Sequence, residues 1–319
     1  MSIAPYIKEI GRGKEGARSL TQAQAYDLMS QVLDGHVSDL EVGAFCIAMR
    51  IKGETTLELA GFLEAAQERC VPIAHSLHPH SPVVLLPSYN GARKLPNLTA
   101  LLALLLAQKG VPVLVHGVSK DAGRVTTADV FHDLGLPVVN NSAHAASDMG
   151  HAWSRREPVF MAIDTLCPAL AKLLEVRRVI GLRNPGHTVA KLLDPTRGDA
   201  ALRVVNHTHP EYAEALSGFL QHTRANAMLM RGTEGEPVAD PRRLPRLDVF
   251  LNGVLSSEMS LPAKEGVLTQ LPVLPRSIDA ATTAVYIQSV ISGEAPAPLP
   301  ITQQLDCLIQ SLKTIAYEH

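Results

Sequence analysis

Aromatic side chains are scarce in this sequence: phenylalanine, tyrosine and tryptophan supply 4% of 319 residues, and Trp153 is the single tryptophan. Binding of single strands by base stacking relies on such rings, so stacking has little support here and a nucleic-acid ligand is expected to be held mainly through its phosphates. Cysteine is also rare. Cys46, Cys70, Cys167 and Cys307 are far apart and form no C-x-x-C pair, which argues against a disulfide framework and a thiolate zinc site and fits a reducing, cytoplasmic setting. The longest apolar stretch, Leu98 to Ala107, is interrupted by Thr99 and falls short of the ~20 residues of a membrane-spanning helix. Charged Lys8, Glu9, Arg12, Lys14, Glu15 and Arg18 stand where a signal peptide needs an apolar core. Neither sign of charge dominates, with 29 basic and 31 acidic side chains.

What is present is a globular composition, 46% hydrophobic and 19% charged, over a length that suits two lobes. Residues 21–70 hold three successive helix signatures. Thr21 opens the first, which stops near Gly35, while Ser38 with Glu41 and Thr55 with Glu58 have capping-box spacing before apolar residues at helical period. Val71 to Pro82, with its prolines and histidines, reads as a connector, after which the period changes. Val83–Leu86, a Leu-rich helix capped by Asn97 and ending at Gly110, and Val111–Val115 form strand, helix, strand. Ala128–Leu134 with Pro137–Val139, and Arg203–Asn206 with Glu211–Leu220 and Ala227–Met230, repeat the pattern. The fold class is therefore α/β: a small N-terminal helical lobe and a larger, mostly parallel α/β lobe. The boundaries are residues 1–78 and 79–319, with about 166–195 returning to the helical lobe. Residues 231–275 read as loop and edge strand, and Ala280–Ile291 and Thr302–Ile315 as amphipathic helices.

Charge is unevenly spread. Lys172 to Arg203 contains Lys172, Arg177, Arg178, Arg183, Lys191, Arg197 and Arg203 against Glu175, Asp194 and Asp199; Leu85 to Arg124 contains Arg93, Lys94, Lys109, Lys120 and Arg124 against Asp121 alone. Each window carries +4. Arg93 and Lys94 follow a glycine and precede the Asn97-capped helix, where a phosphate could meet both side chains and the helix's positive end. Arg183 and Lys191 can flank one cleft across the Pro185–Gly186 turn, whereas some neighbouring arginines are expected to be ordinary surface ion pairs. His116 and His187 suit structural hydrogen bonding better than catalysis. Met228 and Met230 fit a core strand, and Trp153 fits a cover over apolar surface.

The stretch Ser38 to Thr55, SDLEVGAFCIAMRIKGET, resembles the second and third helices of the anthranilate phosphoribosyltransferases, and the resemblance covers nearly the whole chain. Thr127, Ala128 and Asp129 ahead of Leu134 and Gly135, the Cys167–Lys172 turn, and Arg177 to Arg183 continue it. It implies the anthranilate phosphoribosyltransferase and nucleoside phosphorylase fold, of glycosyltransferase family 3, and dimerisation through the N-terminal helices. The family's ligand motifs are missing. Its glycine-rich diphosphate loop, which works because glycine lets backbone amides approach an anion, is replaced by Pro87, Ser88, Tyr89, Asn90 and Gly91. Its phosphate-binding lysine and arginine are lost from Val115 to Ser119. Its adjacent metal-binding acids become Pro237 and Val238, although a shift of one or two residues in the match could still offer Glu234 or Glu236, and Cys167 replaces a histidine.

The replacements Ser88 to Lys94, Val115 to Ser119, Arg183-Asn184 with His187-Thr188, and Gly232 to Glu236 resemble a divergent, YbiB-like branch of the family. That likeness implies a non-catalytic homodimer that binds DNA or RNA largely without regard to sequence. The expected nucleic-acid contacts are Arg93, Lys94, Lys120, Arg124, Arg177, Arg178, Arg183, Lys191 and Arg203. A remnant ligand cleft is expected around Tyr89, Asn90, Gly91, Asn97, His116, Gly117, His187 and Glu234. No catalytic residue, metal or cofactor is expected. The alternative is glycosyl transfer, of phosphoribosyltransferase or nucleoside phosphorylase type, in a rewritten pocket using Glu234, Glu236, His116 and Arg183; a ligand-free scaffold is a third.

Overall fold

A computed structural model describes residues 2–73, 82–196 and 201–317. The inner part of the expected connector, the 78/79 lobe boundary, and Arg197 with Asp199 lie outside these residues.

The helical lobe starts with two short helices that the sequence pattern did not reveal, α1 (Ala4–Ile10) and α2 (Gly13–Gly16). The next three follow their expected signals. In α3 (Gln22–Leu33), α4 (Asp39–Lys52) and α5 (Thr56–Glu68), the hydroxyls of Thr21, Ser38 and Thr55 accept from the amides of Gln24, Glu41 and Glu58. Each of those side chains reaches back to its cap. Each reciprocal pair satisfies two otherwise orphaned donors. Glu58 does more: its fully buried carboxylate accepts from Leu20 N at 2.9 Å and Lys52 Nζ at 2.6 Å, tying all three helices together.

The α/β lobe contains β1 (Val83–Ser88), α6 (Thr99–Gln108), β2 (Val113–Gly117), α7 (Thr127–Asp133), β3 (Val138–Val139), α8 (Ala145–Ser154) and β4 (Val159–Ala162). The chain then passes through α9 (Ile163–Leu166), α10 (Pro168–Ile180) and α11 (Gly186–Ala190), where α10 lies against α3 and α11 against α5. It returns as β5 (Ala201–His207), α12 (Glu211–His222) and β6 (Ala227–Arg231), and closes with β7 (Leu247–Leu251), β8 (Val254–Leu261), α13 (Ala280–Ile291) and α14 (Leu299–Tyr317). The sheet order is β3-β4-β2-β1-β5-β6-β7-β8; the first six strands are parallel, and β7 and β8 are antiparallel. Residues 231–275 are thus more ordered than loop and one edge strand: they hold an antiparallel hairpin.

Strand alternation builds two cores. Leu85, Leu114, Val205 and Leu229 face a core shared with Leu28, Phe62, Leu170 and Phe219, while Val84, Val115, Val204 and Met228 face one shared with Leu101, Phe131, Ile287 and Leu308. The first core unites helical lobe and sheet, so it fixes α4, α5 and α10 relative to the strand ends. From β1 the chain moves to β2 on one side, and it later returns to place β5 on the other. Beyond the carboxyl ends of these strands lies the crevice in which such sheets hold ligands.

Candidate anion-binding cleft

The loop after β1 is the centre of the crevice. Gly117, at the end of β2, lies so close to Ser88 that an added Cβ would stand 1.7 Å from the Ser88 carbonyl oxygen, which explains a glycine there. From the other side comes the tight turn Thr233–Glu236, closed by Glu236 N donating to Thr233 O at 2.9 Å. Its central residues Glu234 and Gly235 both have positive φ, 52° and 88°, as mirror-image two-residue turns require.

This turn delivers two carboxylates to the β1 loop. Glu236 is 1% exposed. Its Oε1 accepts from Asn90 N at 2.9 Å and Gly91 N at 2.7 Å. Its Oε2 accepts from the Ser88 hydroxyl and lies 3.4 and 3.3 Å from the hydroxyls of Thr99 and Thr127. Glu234 Oε1 accepts from Lys94 N at 2.9 Å and Leu95 N at 3.0 Å, with Arg93 N at 3.3 Å. Each carboxylate is therefore cradled by consecutive backbone amides, the arrangement known as an anion nest. Neither is free to organise a metal, and no cluster of three or more metal-ligating side chains occurs among the described residues.

Cations surround this turn. Lys191 Nζ donates to Asn206 Oδ1 and Gly235 O, both at 3.0 Å, and burial lowers its pKa to about 8. Arg183 donates to Asn90 Oδ1 at 2.7 Å, and Asn90 Nδ2 donates to Glu234 O at 2.8 Å. Arg183 and Lys191 thus flank one cleft, as the Pro185–Gly186 turn suggested. Arg124 donates to Gly91 O at 3.1 Å. The Arg183 guanidinium is pulled below its usual pKa, first by burial and then by repulsion from Arg177, Arg124 and Arg50; Asp121 acts in the opposite sense. None of these four arginines forms a salt bridge among the described residues. Arg50 was missed by sequence reasoning. It sits in the last turn of α4, where a basic residue already complements the helix dipole, so nothing local marks it as part of a cleft.

Other expected residues take different places. Arg93, Lys94 and Lys120 are exposed, but the amides of Arg93 and Lys94 serve Glu234. Arg177 is exposed in the last turn of α10, near enough to act on Arg183, whereas Arg178 pairs with Glu175 at 2.8 Å, an ordinary surface ion pair. Arg203 needs correction: it is 7% exposed on the core-facing side of β5 and donates to Leu192 O at 2.8 Å. It lines a recess with Glu64, Asp194 and Arg224 at the opposite end of the sheet, because the strand alternation that buries Ala201 and Val205 buries position 203 too.

Tyr89 and His116 are also removed from any open cleft. Both are buried, with Tyr89 Oη 2.8 Å from His116 Nδ1, and burial lowers the His116 pKa to about 3. His187 is half-buried beside Asn184, and burial plus Arg183 and Arg177 lower its pKa to about 4. Asn97 does not occupy the helix cap, which falls on Leu98. Its Oδ1 still accepts from Thr99 N at 3.3 Å, and its Nδ2 ties down Val125 O. Met228 and Met230 are core, and buried Trp153 donates to Val113 O at 3.1 Å.

Helical lobe, mixed sheet and switch-point cleft together define a protein with the anthranilate phosphoribosyltransferase fold. Residues 4–70 match the helical bundle domain of a glycosyl transferase family. The anthranilate phosphoribosyltransferase of Thermus thermophilus superposes with a TM-score of 0.73 at 21% identity, covering 98% of this chain and 89% of that one. The Saccharomyces cerevisiae enzyme in complex with PRPP and Mg gives 0.70 at 13% identity, covering 99% and 89%. In sequence, the anthranilate phosphoribosyltransferase of Symbiobacterium thermophilum is 26% identical over 92% of this chain and 82% of its own length. Protein YbiB of Escherichia coli K12 is 39% identical over 97% of this chain and 94% of its own. The chain belongs to the YbiB-like family within this fold. No helix among the described residues is long and apolar enough to cross a membrane.

Proposed function

We propose that this protein is a non-catalytic homodimer that binds DNA or RNA through phosphates, with little regard for base sequence. One observation carries the reading: Arg124 and Arg183 are held at the β1 loop by Gly91 O and Asn90 Oδ1 without a salt bridge among the described residues, and Arg177 and Arg50 come near enough to repel the Arg183 charge, with Asp121 opposing them. An Arg183 charge disfavoured by burial and by three neighbouring arginines is stabilised by a polyanion, and fork-shaped donors suit phosphate. Arg93, Lys94 and Lys120 extend the basic surface as exposed side chains. The dimer would form through α4, whose Leu40 and Ile51 are 84% and 57% exposed and lie on one side with Ile47. Large apolar side chains left open on one face mark such contacts.

The test is fluorescence anisotropy of labelled single- and double-stranded oligonucleotides at two salt concentrations, beside light scattering for the dimer. Salt-sensitive binding of both, indifferent to sequence, is expected; absence of binding at low salt refutes the reading. A second reading, glycosyl transfer with a divergent pocket, is favoured by the names of the relatives. It requires heat from phosphoribosyl diphosphate with magnesium in calorimetry.

A further inference from the structure

Two backbone-amide nests in the β1 loop are already filled, and by the same short turn. Glu236, deeply buried, takes the amides of Asn90 and Gly91 and three nearby hydroxyls; Glu234, half-buried, takes those of Arg93, Lys94 and Leu95. The turn is itself clamped: Asn90 Nδ2 holds Glu234 O, Lys191 holds Gly235 O, and a Cβ on Gly235 would stand 1.8 Å from Asn90 Nδ2. Consecutive amides at the carboxyl end of a switch-point strand are the donors that the phosphates of a small ligand would use. A buried carboxylate with five donors is a strongly held occupant, because charge-assisted hydrogen bonds in a dry site are worth more than neutral ones.

We propose that the Thr233–Glu236 turn is an intramolecular anion lock: its two carboxylates stand in for the phosphates of a small ligand and close the cleft to phosphorylated small molecules. The lock leaves the exposed guanidiniums of Arg50 and Arg177 outside, available to a larger polyanion. It does not depend on that larger ligand; a chain that binds no oligonucleotide must still reject diphosphate.

The lock is tested with the full chain and sodium diphosphate at constant ionic strength, by calorimetry and thermal unfolding. Wild-type protein is expected to give no saturable heat at millimolar diphosphate and no shift in melting midpoint. The Glu234→Ala variant empties the more accessible nest and should bind diphosphate at least ten-fold tighter than wild type, with a saturable rise in midpoint. Glu236→Gln keeps the shape of the buried occupant but not its charge, and in combination with Glu234→Ala it should bind tighter still. Tight diphosphate binding by wild type would overturn the lock. So would folded Glu234→Ala protein, judged by circular dichroism, that binds no better than wild type. If Glu234→Ala does not fold, Glu234→Gln takes its place under the same criteria.

Discussion

Removing Arg50 and Arg177 together is the most discriminating perturbation of the proposed interface. Both are exposed, on α4 and α10 respectively, and neither is ion-paired among the described residues; truncation to alanine should leave stability within about 0.5 kcal/mol of wild type. Counterion release sets the expected size of the effect. Each phosphate contact on a single strand adds about 0.7 to the slope of log affinity against log salt, so four guanidiniums give a slope of about −2.8 per cleft. Between 50 and 200 mM salt, affinity should fall about 50-fold for wild type and about 7-fold for the double variant, whose slope is about −1.4. Anisotropy titrations with a ~30-base oligonucleotide at four salt concentrations measure both slopes. An unchanged slope in the double variant would refute the cleft as the binding surface, and a flat wild-type response would refute phosphate binding altogether.

Two further predictions concern the scaffold. Glu58→Ala leaves Lys52 buried without its partner, 2.6 Å away, and orphans Leu20 N. Denaturant unfolding should show a loss of about 3–5 kcal/mol, against about 1 kcal/mol for Thr55→Ala, which removes only a cap; a loss below 1 kcal/mol for Glu58→Ala would contradict the buried network. Burial depresses the His116 pKa from 6.5 to about 3, so the unfolded chain takes up this proton before the folded one. Its stability contribution is complete above about pH 6.5 and falls by about 1.4 kcal/mol per pH unit below it, continuing towards pH 3. His116→Gln should remove that part of the slope between pH 6.5 and 5, and identical slopes in the two proteins would place the titration elsewhere; the depressed His187 and His207 act in the same direction in both.

The local grammar of the chain was readable where a neighbour within a few residues supplies the physics. The capping boxes at Ser38 and Thr55 and the bounds of α13 follow from hydroxyl–amide and periodicity rules. The β7–β8 hairpin escaped because proline, arginine and aspartate precede it and its apolar alternation is weak; β8 is half-exposed at the sheet edge. At the site, the sequence marked the basic windows and the two glutamates but not their separate fates. Arg183, Arg177 and Arg203 have the same chemistry, yet Arg203 is buried by its position on β5, while Arg183 bonds Asn90 at the cleft and Arg177 stays exposed, near enough to act on it.

By itself, then, the sequence determined the two-lobed α/β layout and the loss of the ligand motifs, since patterning and the absence of glycine or acid at a position are local properties. Tertiary structure alone decided that Glu234 and Glu236 meet the amides of residues 90–95, more than 130 positions earlier, and that Arg50 of the helical lobe comes near enough to act on the charge of Arg183. Those meetings are set by the packing of helices on a sheet whose strand order reverses at β1, and a charge carries no local mark of the partner that such packing will bring to it.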